Sequence, residues 1–427
     1  MKIISQKSRL RGSVSIPASK SHTIRAVAIG SMAEGTSRIH NPLVSSDTLS
    51  AVACFRGLGA DIQTDDPTQW VIRGNAGAIS IPDDIIDVGN SGTTLPFGMA
   101  CAALLAGPGR IRFTGDHQIQ RRPVGPLMHS LTDLGSQSQS ERSNSCAPVW
   151  VAGGLKGGKT SIECLTSQYL SALLIACPLA PQDTLIDVPL LNEPDYVQMT
   201  LDWLNRQKIQ YHQDGFSRFQ IRGGQRYRAF DVIIPADFSS ATFFLCAGAF
   251  LDADITLNGL DFADSQPDKA VVDYLRRMGA DIQIESGGVR VRGSRLSGVH
   301  IDMNRTPDAL PAMAVTGAFA AGQTRLDNVP QARKKETDRI RCMVNELKRV
   351  DVRVDELDDG LIIYQSGRVQ PASLRGYGDH RIVMALSLMG LASEETLEID
   401  TAEAIAVTFP DYVGLMQGLG AHMEIRD

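Results

Sequence analysis

One pattern recurs six times along this chain and limits its possible folds more tightly than composition does. A short polar stretch opens a small-residue apolar helix at Ser21 (SKSHTIRAVAIG), Ser91 (GNSGTTLPFGMACAA), Ser167 (TSQYLSALLIA), Ser239 (SSATFFLCAGA), Ala309 (PDALPAMAVTGA) and Asp379 (GDHRIVMALSL). Successive starts lie 70–76 residues apart. That period is too long for a short solenoid repeat and suits one compact supersecondary unit. A second series keeps step with the first: an acid- or Pro-marked helix start, a helix closing on Gly or its substitute, then a strand. SSDTLSAVACFRGLGADIQTD, QPDKAVVDYLRRMGADIQIE and KETDRIRCMVNELKRVDVRVD are three of its six members. Six copies of one helix–strand–helix–strand unit predict an α/β fold. Twelve helix N-termini, each with unpaired N–H groups, then become available to anions.

The chain has 427 residues, more than one hydrophobic core normally serves, so two domains of roughly 200 residues are expected. The strand-like run Phe230–Ile234, followed by Pro235, separates the third unit from the fourth. This predicts an inserted domain over 19–235 and a second domain of 1–18 plus 236–427. Strands at Lys2–Ile4 and Gly12–Ile16 would complete the latter. The net charge of −6 argues against nucleic acid as a partner. Seven cysteines without a CxxC pair support neither a disulfide framework nor a zinc ribbon. Eight scattered histidines give no metal site. MKIISQKSRL lacks an apolar signal core, and the longest apolar run, Gly98–Gly107, is too short to span a bilayer. A soluble cytoplasmic protein is expected, with no membrane partner. No GxxxxGK[ST], HExxH or GxSxG occurs. GLKGGKT (Gly154–Thr160) reads as a hairpin turn.

The unusual residues are cations at helix starts: Lys20 and Arg25, Arg121 and Arg122, Lys334, Lys335 and Arg339, and Arg381. Arg or Lys added to a helix N-terminus makes a strong anion pocket. The set predicts a small, multiply charged anion bound by both halves. Ser46–Asp47 and Thr337–Asp338 supply N-cap residue types. Asp308 reads as the N-cap of its helix and Glu336 as half of a surface ion pair. Among clustered cations, both are also candidates for proton transfer.

These motifs carry a family resemblance. SKSHTIR, GNSGTT, RRPVGPL, TSQYLSALL, FSSATFFLCAGA, TPDALPAMAV, KETDRIRCMVNEL, GDHRIVMALSL and TFPDYV resemble those of the enolpyruvyl transferases, over the full length. The shikimate branch, the 5-enolpyruvylshikimate-3-phosphate synthases, is the nearest match. The sister branch acting on UDP-N-acetylglucosamine carries a Lys-Asn pair where Lys20–Ser21 stands, and a reactive-loop cysteine that is missing near RRPVG. The resemblance implies a two-domain inside-out α/β barrel of six βαβαββ repeats, three per domain, with the active site in the interdomain cleft. It implies transfer of the enolpyruvyl group of phosphoenolpyruvate to the 5-hydroxyl of shikimate 3-phosphate, without metal or organic cofactor. It leaves the response to glyphosate as an inhibitor open, since Gly92 keeps room for an analogue while Val407 removes a usual contact; domain closure of this kind suits a monomer. Carried over motif by motif, Lys20, Gly92, Arg122, Gln168, Arg339 and Arg381 would contact phosphoenolpyruvate. Lys20, Ser21, Arg25, Thr166, Ser167, Gln168, Asp308, Gln331 and Lys335 would line the acceptor site. Asp308 would accept a proton, Glu336 donate one, and Lys20 assist as charge develops.

Four places depart from the family pattern. Leu95–Pro96 stands where an Arg is usual, Val407 where a Lys is usual, and Gln331 where Asn is usual. Asn192 or Glu193 takes the place of a serine that helps hold the acceptor phosphate. A charge-assisted contact contributes about 1.5–3 kcal/mol, so Val407 should weaken phosphoenolpyruvate binding. Glu193 beside a phosphate would repel it. These changes leave open a related transferase with another hydroxyl acceptor, or an anion-binding homologue without turnover.

Overall fold

A computed structural model describes residues 1–285, 287–366 and 369–427. The chain divides into two compact units, one of Ala18–Ile234 and one of Met1–Pro17 with Pro235–Asp427. Each has its own core. Trp70, Phe55, Phe97 and Phe113 lie at the centre of the first. Phe243, Phe244 and Phe409 pack edge to face on Tyr412 in the second, with ring centroids 5.6–6.2 Å apart.

Twelve α-helices occur among the described residues, in two alternating kinds. The small-residue series gives α1 (Lys20–Met32), α3 (Thr94–Ala102), α5 (Ser167–Ala176), α7 (Phe238–Phe250), α9 (Leu310–Ala318) and α11 (His380–Gly390). These are buried over nearly their whole circumference, as helices without a polar face must be. The other series gives α2 (Ser46–Gly57), α4 (Gly125–Asp133), α6 (Pro194–Arg206), α8 (Ala270–Arg277), α10 (Arg339–Arg349) and α12 (Tyr412–Gly418). They are amphipathic: α10 buries Ile340, Met343, Val344 and Leu347 and exposes Arg341, Lys348 and Arg349.

Six four-stranded sheets share one strand order. In the third repeat, Gly158–Cys164 runs through α5 to Thr184–Leu191, and the two strands pair in parallel. After α6, the hairpin Tyr211–Asp214 and Arg218–Ile221 completes the sheet through antiparallel pairing of Arg218–Ile221 with Thr184–Leu191. This is a βαβαββ unit. A parallel pair needs a crossover connection, and the buried helix supplies it.

Three strands lie far in sequence from the sheets that they complete. Asp231–Ile233 pairs in parallel with Thr36–His40, which closes the first repeat of the Ala18–Ile234 unit. In the other unit, Arg9–Ser15 pairs in parallel with Asp252–Asn258. Lys2–Gln6 lies between Leu397–Asp400 and His422–Arg426.

Some local expectations are corrected. Gly154–Thr160 is not a hairpin turn, because Val149–Ala152 and Gly158–Cys164 belong to different sheets. The segment links two repeats. The cap of α2 is Ser45, one residue earlier than expected, in a reciprocal arrangement with Thr48. The helix expected at Ser91 begins at Thr94, with the Ser91 hydroxyl bonded to Thr94. Among the described residues, no helix is long and apolar enough to cross a membrane.

Candidate active site

The expected site residues fall into two sets, one per unit. In the Ala18–Ile234 unit, Ser19 caps α1, and Lys20 in the first turn reaches Asp47 of α2 at 3.0 Å. Asp47 is 4% exposed, so this is a largely buried ion pair rather than a cap contact. One turn further on, Arg25 is 3% exposed. Its guanidinium donates to the Ser21 carbonyl at 3.0 Å, the Tyr196 carbonyl at 2.8 Å and the Thr200 hydroxyl at 2.9 Å. Among the described residues, no carboxylate lies within ion-pair distance of it. Burial pushes its pKa down to about 10, with the Tyr196 phenol opposing. The neighbouring His22 ring accepts at Nδ1 from Trp203 Nε1 at 3.0 Å. That bond leaves the proton of a neutral ring on Nε2 and ties α1 to α6.

Thr166 caps α5, its hydroxyl accepting from Gln168 N–H. The Gln168 amide donates to Thr93 at the start of α3 at 3.1 Å. Gly92, just before α3, lies against Arg122, and a Cβ there would run into the guanidinium. Glu193 occupies the α5 start: its carboxylate accepts from the Ser167 hydroxyl at 2.8 Å and N–H at 3.2 Å, and from the Thr166 hydroxyl at 3.3 Å. Asn192 turns away and donates to the Leu165 carbonyl. Of the two replacements weighed from sequence, Glu193 is the one at these hydroxyls.

In the other unit, Arg339 opens α10 and is 1% exposed. It donates to Asp308 at 2.7 Å, Glu336 at 2.6 Å and Asp379 at 2.8 Å. Burial by itself would lower its pKa. The charges of Asp379, Glu336 and Asp308 outweigh that and hold it well above the ordinary value. Arg381 donates to the Ser239 hydroxyl at 2.8 Å and lies 3.4 Å from the Asp308 carboxylate. Lys335 is 3.9 Å from the same carboxylate. Gln331 is buried, donates to the Asn304 carbonyl at 3.0 Å and leaves its own Oε1 without a hydrogen-bond partner in the protein. His380 is buried beside these charges, and desolvation pushes it down to about 3.

Two sequence readings are overturned here. Asp308 is not an N-cap: it lies inside the 3-10 turn Pro307–Ala309, and its carboxylate meets three cations. Glu336 is no surface pair, since its side chain is 10% exposed and its partner Arg339 only 1%. Arg121 and Lys334 stay exposed, whereas Lys335, Arg339 and Arg381 gather around Asp308. Pro96 is buried in the first turn of α3, where its missing N–H costs no helical hydrogen bond. Val407 ends the 3-10 segment Ala402–Val407, half-buried.

Comparison with known proteins supplies the family. The sequence profile of EPSP synthase (3-phosphoshikimate 1-carboxyvinyltransferase) matches residues 4–416. The chain belongs to the EPSP synthase family. A 3-phosphoshikimate 1-carboxyvinyltransferase of Acetivibrio thermocellus is 52% identical, with 97% of each chain covered. One from Ruminiclostridium cellulolyticum is 46% identical over 98% of this chain and 99% of its own. An EPSP synthase structure from Acinetobacter baumannii superposes with a TM-score of 0.85 at 26% identity, covering 100% of both chains.

Within this EPSP synthase family member, sequence reasoning missed the groups that hold the candidates in place. Asp379 caps α11, accepts from Thr337 and pairs with Arg339. Its only sequence signal was the helix-start aspartate in GDHR. Asp47 carried the same weak signal in SSD. Ser239 carried it too, as the helix start in SSATFFLCAGA, and Thr200 carried none.

Proposed function

We propose that this chain transfers the enolpyruvyl group of phosphoenolpyruvate to the 5-hydroxyl of shikimate 3-phosphate and releases inorganic phosphate. The observation that carries the reading is the full-length kinship with proteins named 3-phosphoshikimate 1-carboxyvinyltransferase, at up to 52% identity among those compared. Those names do not favour a transferase with another acceptor.

In this reading the cations of both units serve one reaction and need no metal or organic cofactor. Lys20, Gly92, Arg122, Gln168, Arg339 and Arg381 bind phosphoenolpyruvate. Lys20, Ser21, Arg25, Thr166, Ser167, Gln168, Asp308, Gln331 and Lys335 bind the acceptor. Asp308 takes the proton of the attacking hydroxyl as its oxygen bonds to the central carbon of phosphoenolpyruvate. Glu336, in its protonated form, protonates the methylene carbon; it then takes a proton back from the new methyl group as the bond to phosphate breaks, and the leaving phosphate carries away the proton held by Asp308. The position of Asp308 supports the first role, because its carboxylate lies among the cations Arg339, Arg381 and Lys335. Glu336 hydrogen-bonds the same guanidinium, which places both carboxylates on one cation. Lys20, held by Asp47, assists as negative charge develops. Glyphosate, as an anionic analogue, competes for the phosphoenolpyruvate contacts.

Phosphate release from phosphoenolpyruvate plus shikimate 3-phosphate tests the assignment, beside Asp308→Asn. The native protein should release phosphate, and the variant should lose roughly a hundredfold or more in rate. Silence of the native protein with this acceptor overturns the reading.

A further inference from the structure

Glu193 is an acidic side chain that conflicts with the acceptor site just described. It is 1% exposed and stands at the N-cap of α6 in the left-handed region, at φ 59° and ψ 48°, where a glutamate is uncommon. Its Oε2 takes three donors at the start of α5: the Ser167 N–H, the Ser167 hydroxyl and the Thr166 hydroxyl. The backbone donor belongs to the unpaired first turn, where the helix dipole favours an anion. A carboxylate of the protein therefore already satisfies the donors that the proposed function gives to the acceptor. Two anions cannot share these donors, because the shared hydrogen atoms would be divided and the like charges would repel.

We propose that Glu193 is a built-in competitor for the acceptor's phosphate, seated on Thr166 and Ser167 in the free protein and displaced when the phosphorylated acceptor binds. The proposal rests on the acceptor site of the proposed function. Glu193 then sets acceptor affinity and narrows selectivity, since only a ligand with a stronger anion than a carboxylate displaces it. A phosphate dianion offers more acceptor oxygens and more charge to the same donors, whereas an unphosphorylated alcohol offers neither.

Isothermal titration of the native protein, Glu193→Gln and Glu193→Ser with shikimate 3-phosphate, shikimate and inorganic phosphate tests this. Both variants should bind shikimate 3-phosphate about tenfold or more tighter than the native protein, the range of one charge-assisted contact. Inorganic phosphate should gain in the same direction, and shikimate should stay within about twofold. In turnover, KM for shikimate 3-phosphate should fall while kcat moves less, a split that a merely structural role would not produce. Glu193→Gln keeps an acceptor oxygen and carries the test if the serine variant does not fold. No gain for either phosphate ligand, or an equal gain for shikimate, overturns the proposal. A native protein that releases no phosphate with shikimate 3-phosphate, while the variants gain affinity for inorganic phosphate, sinks the acceptor assignment and leaves the competitor standing.

Discussion

The two units hold their buried arginines by opposite means. Arg339 is surrounded by Asp308, Glu336 and Asp379, whose charges more than offset its desolvation. Arg25 is as deeply buried but is held by two carbonyls and a hydroxyl, and its pKa falls to about 10. Neutral oxygens satisfy the geometry of a guanidinium without cancelling its charge. Arg25 thus keeps a buried charge that, among the described residues, no carboxylate at ion-pair distance offsets. In the other unit Arg339 already holds three carboxylates, and under the proposed function an incoming anion would compete with them.

The largest expected effect tests that contrast directly. Arg339→Met takes from three carboxylates the guanidinium that they share and should cost about 3–5 kcal/mol of stability. Arg25→Met removes an uncompensated charge and leaves only neutral acceptors unpaired, a loss of about 1–3 kcal/mol. Denaturant unfolding of both variants checks this, and equal losses would erase the distinction.

The next effect concerns pH. His380 titrates at about 3 in the folded protein, against an ordinary value of 6.5. The unfolded chain therefore binds the extra proton first. Stability is fully present above pH 6.5 and falls as pH drops from there towards 3, by up to about 1.4 kcal/mol per pH unit. His380→Asn should flatten this acid limb in thermal melts between pH 6.5 and 4. An unchanged limb would place the titration elsewhere.

The smallest effect concerns Gly92. The Arg122 guanidinium is the far end of a flexible side chain, so Gly92→Ala should displace it at a stability cost below about 1 kcal/mol. The same shift should weaken phosphoenolpyruvate binding by roughly tenfold, the value of one displaced charged contact. Titration with phosphoenolpyruvate reads it, and unaltered affinity would remove Arg122 from the binding set.

Much of the fold was legible because its signals are local. The small-residue apolar runs in GNSGTTLPFGMACAA and TSQYLSALLIA marked buried helices, and KETDRIRCMVNELKRVDVRVD marked the helix that buries Ile340, Met343, Val344 and Leu347. Helix starts were legible to within a few residues, since Ser45 and Thr94 differ from the expected positions only by the local turn. The hairpin at Gly154–Thr160 misled because glycines mark a turn without naming the strands it joins. Asp308 misled in the same way, as the residue type suits a cap and three distant cations decide otherwise.

By itself, the sequence determined the repeat, the alternation of two helix kinds and the residue types at each helix start, because these depend on neighbours within a few positions. Tertiary structure alone decided that Lys2–Gln6 and Asp231–Ile233 would complete distant sheets, that Arg339 would meet three carboxylates and Arg25 none, and that Glu193 rather than Asn192 would lie on Ser167. Those outcomes are pairings between remote segments, and a charge acquires its partner only when folding brings the two together.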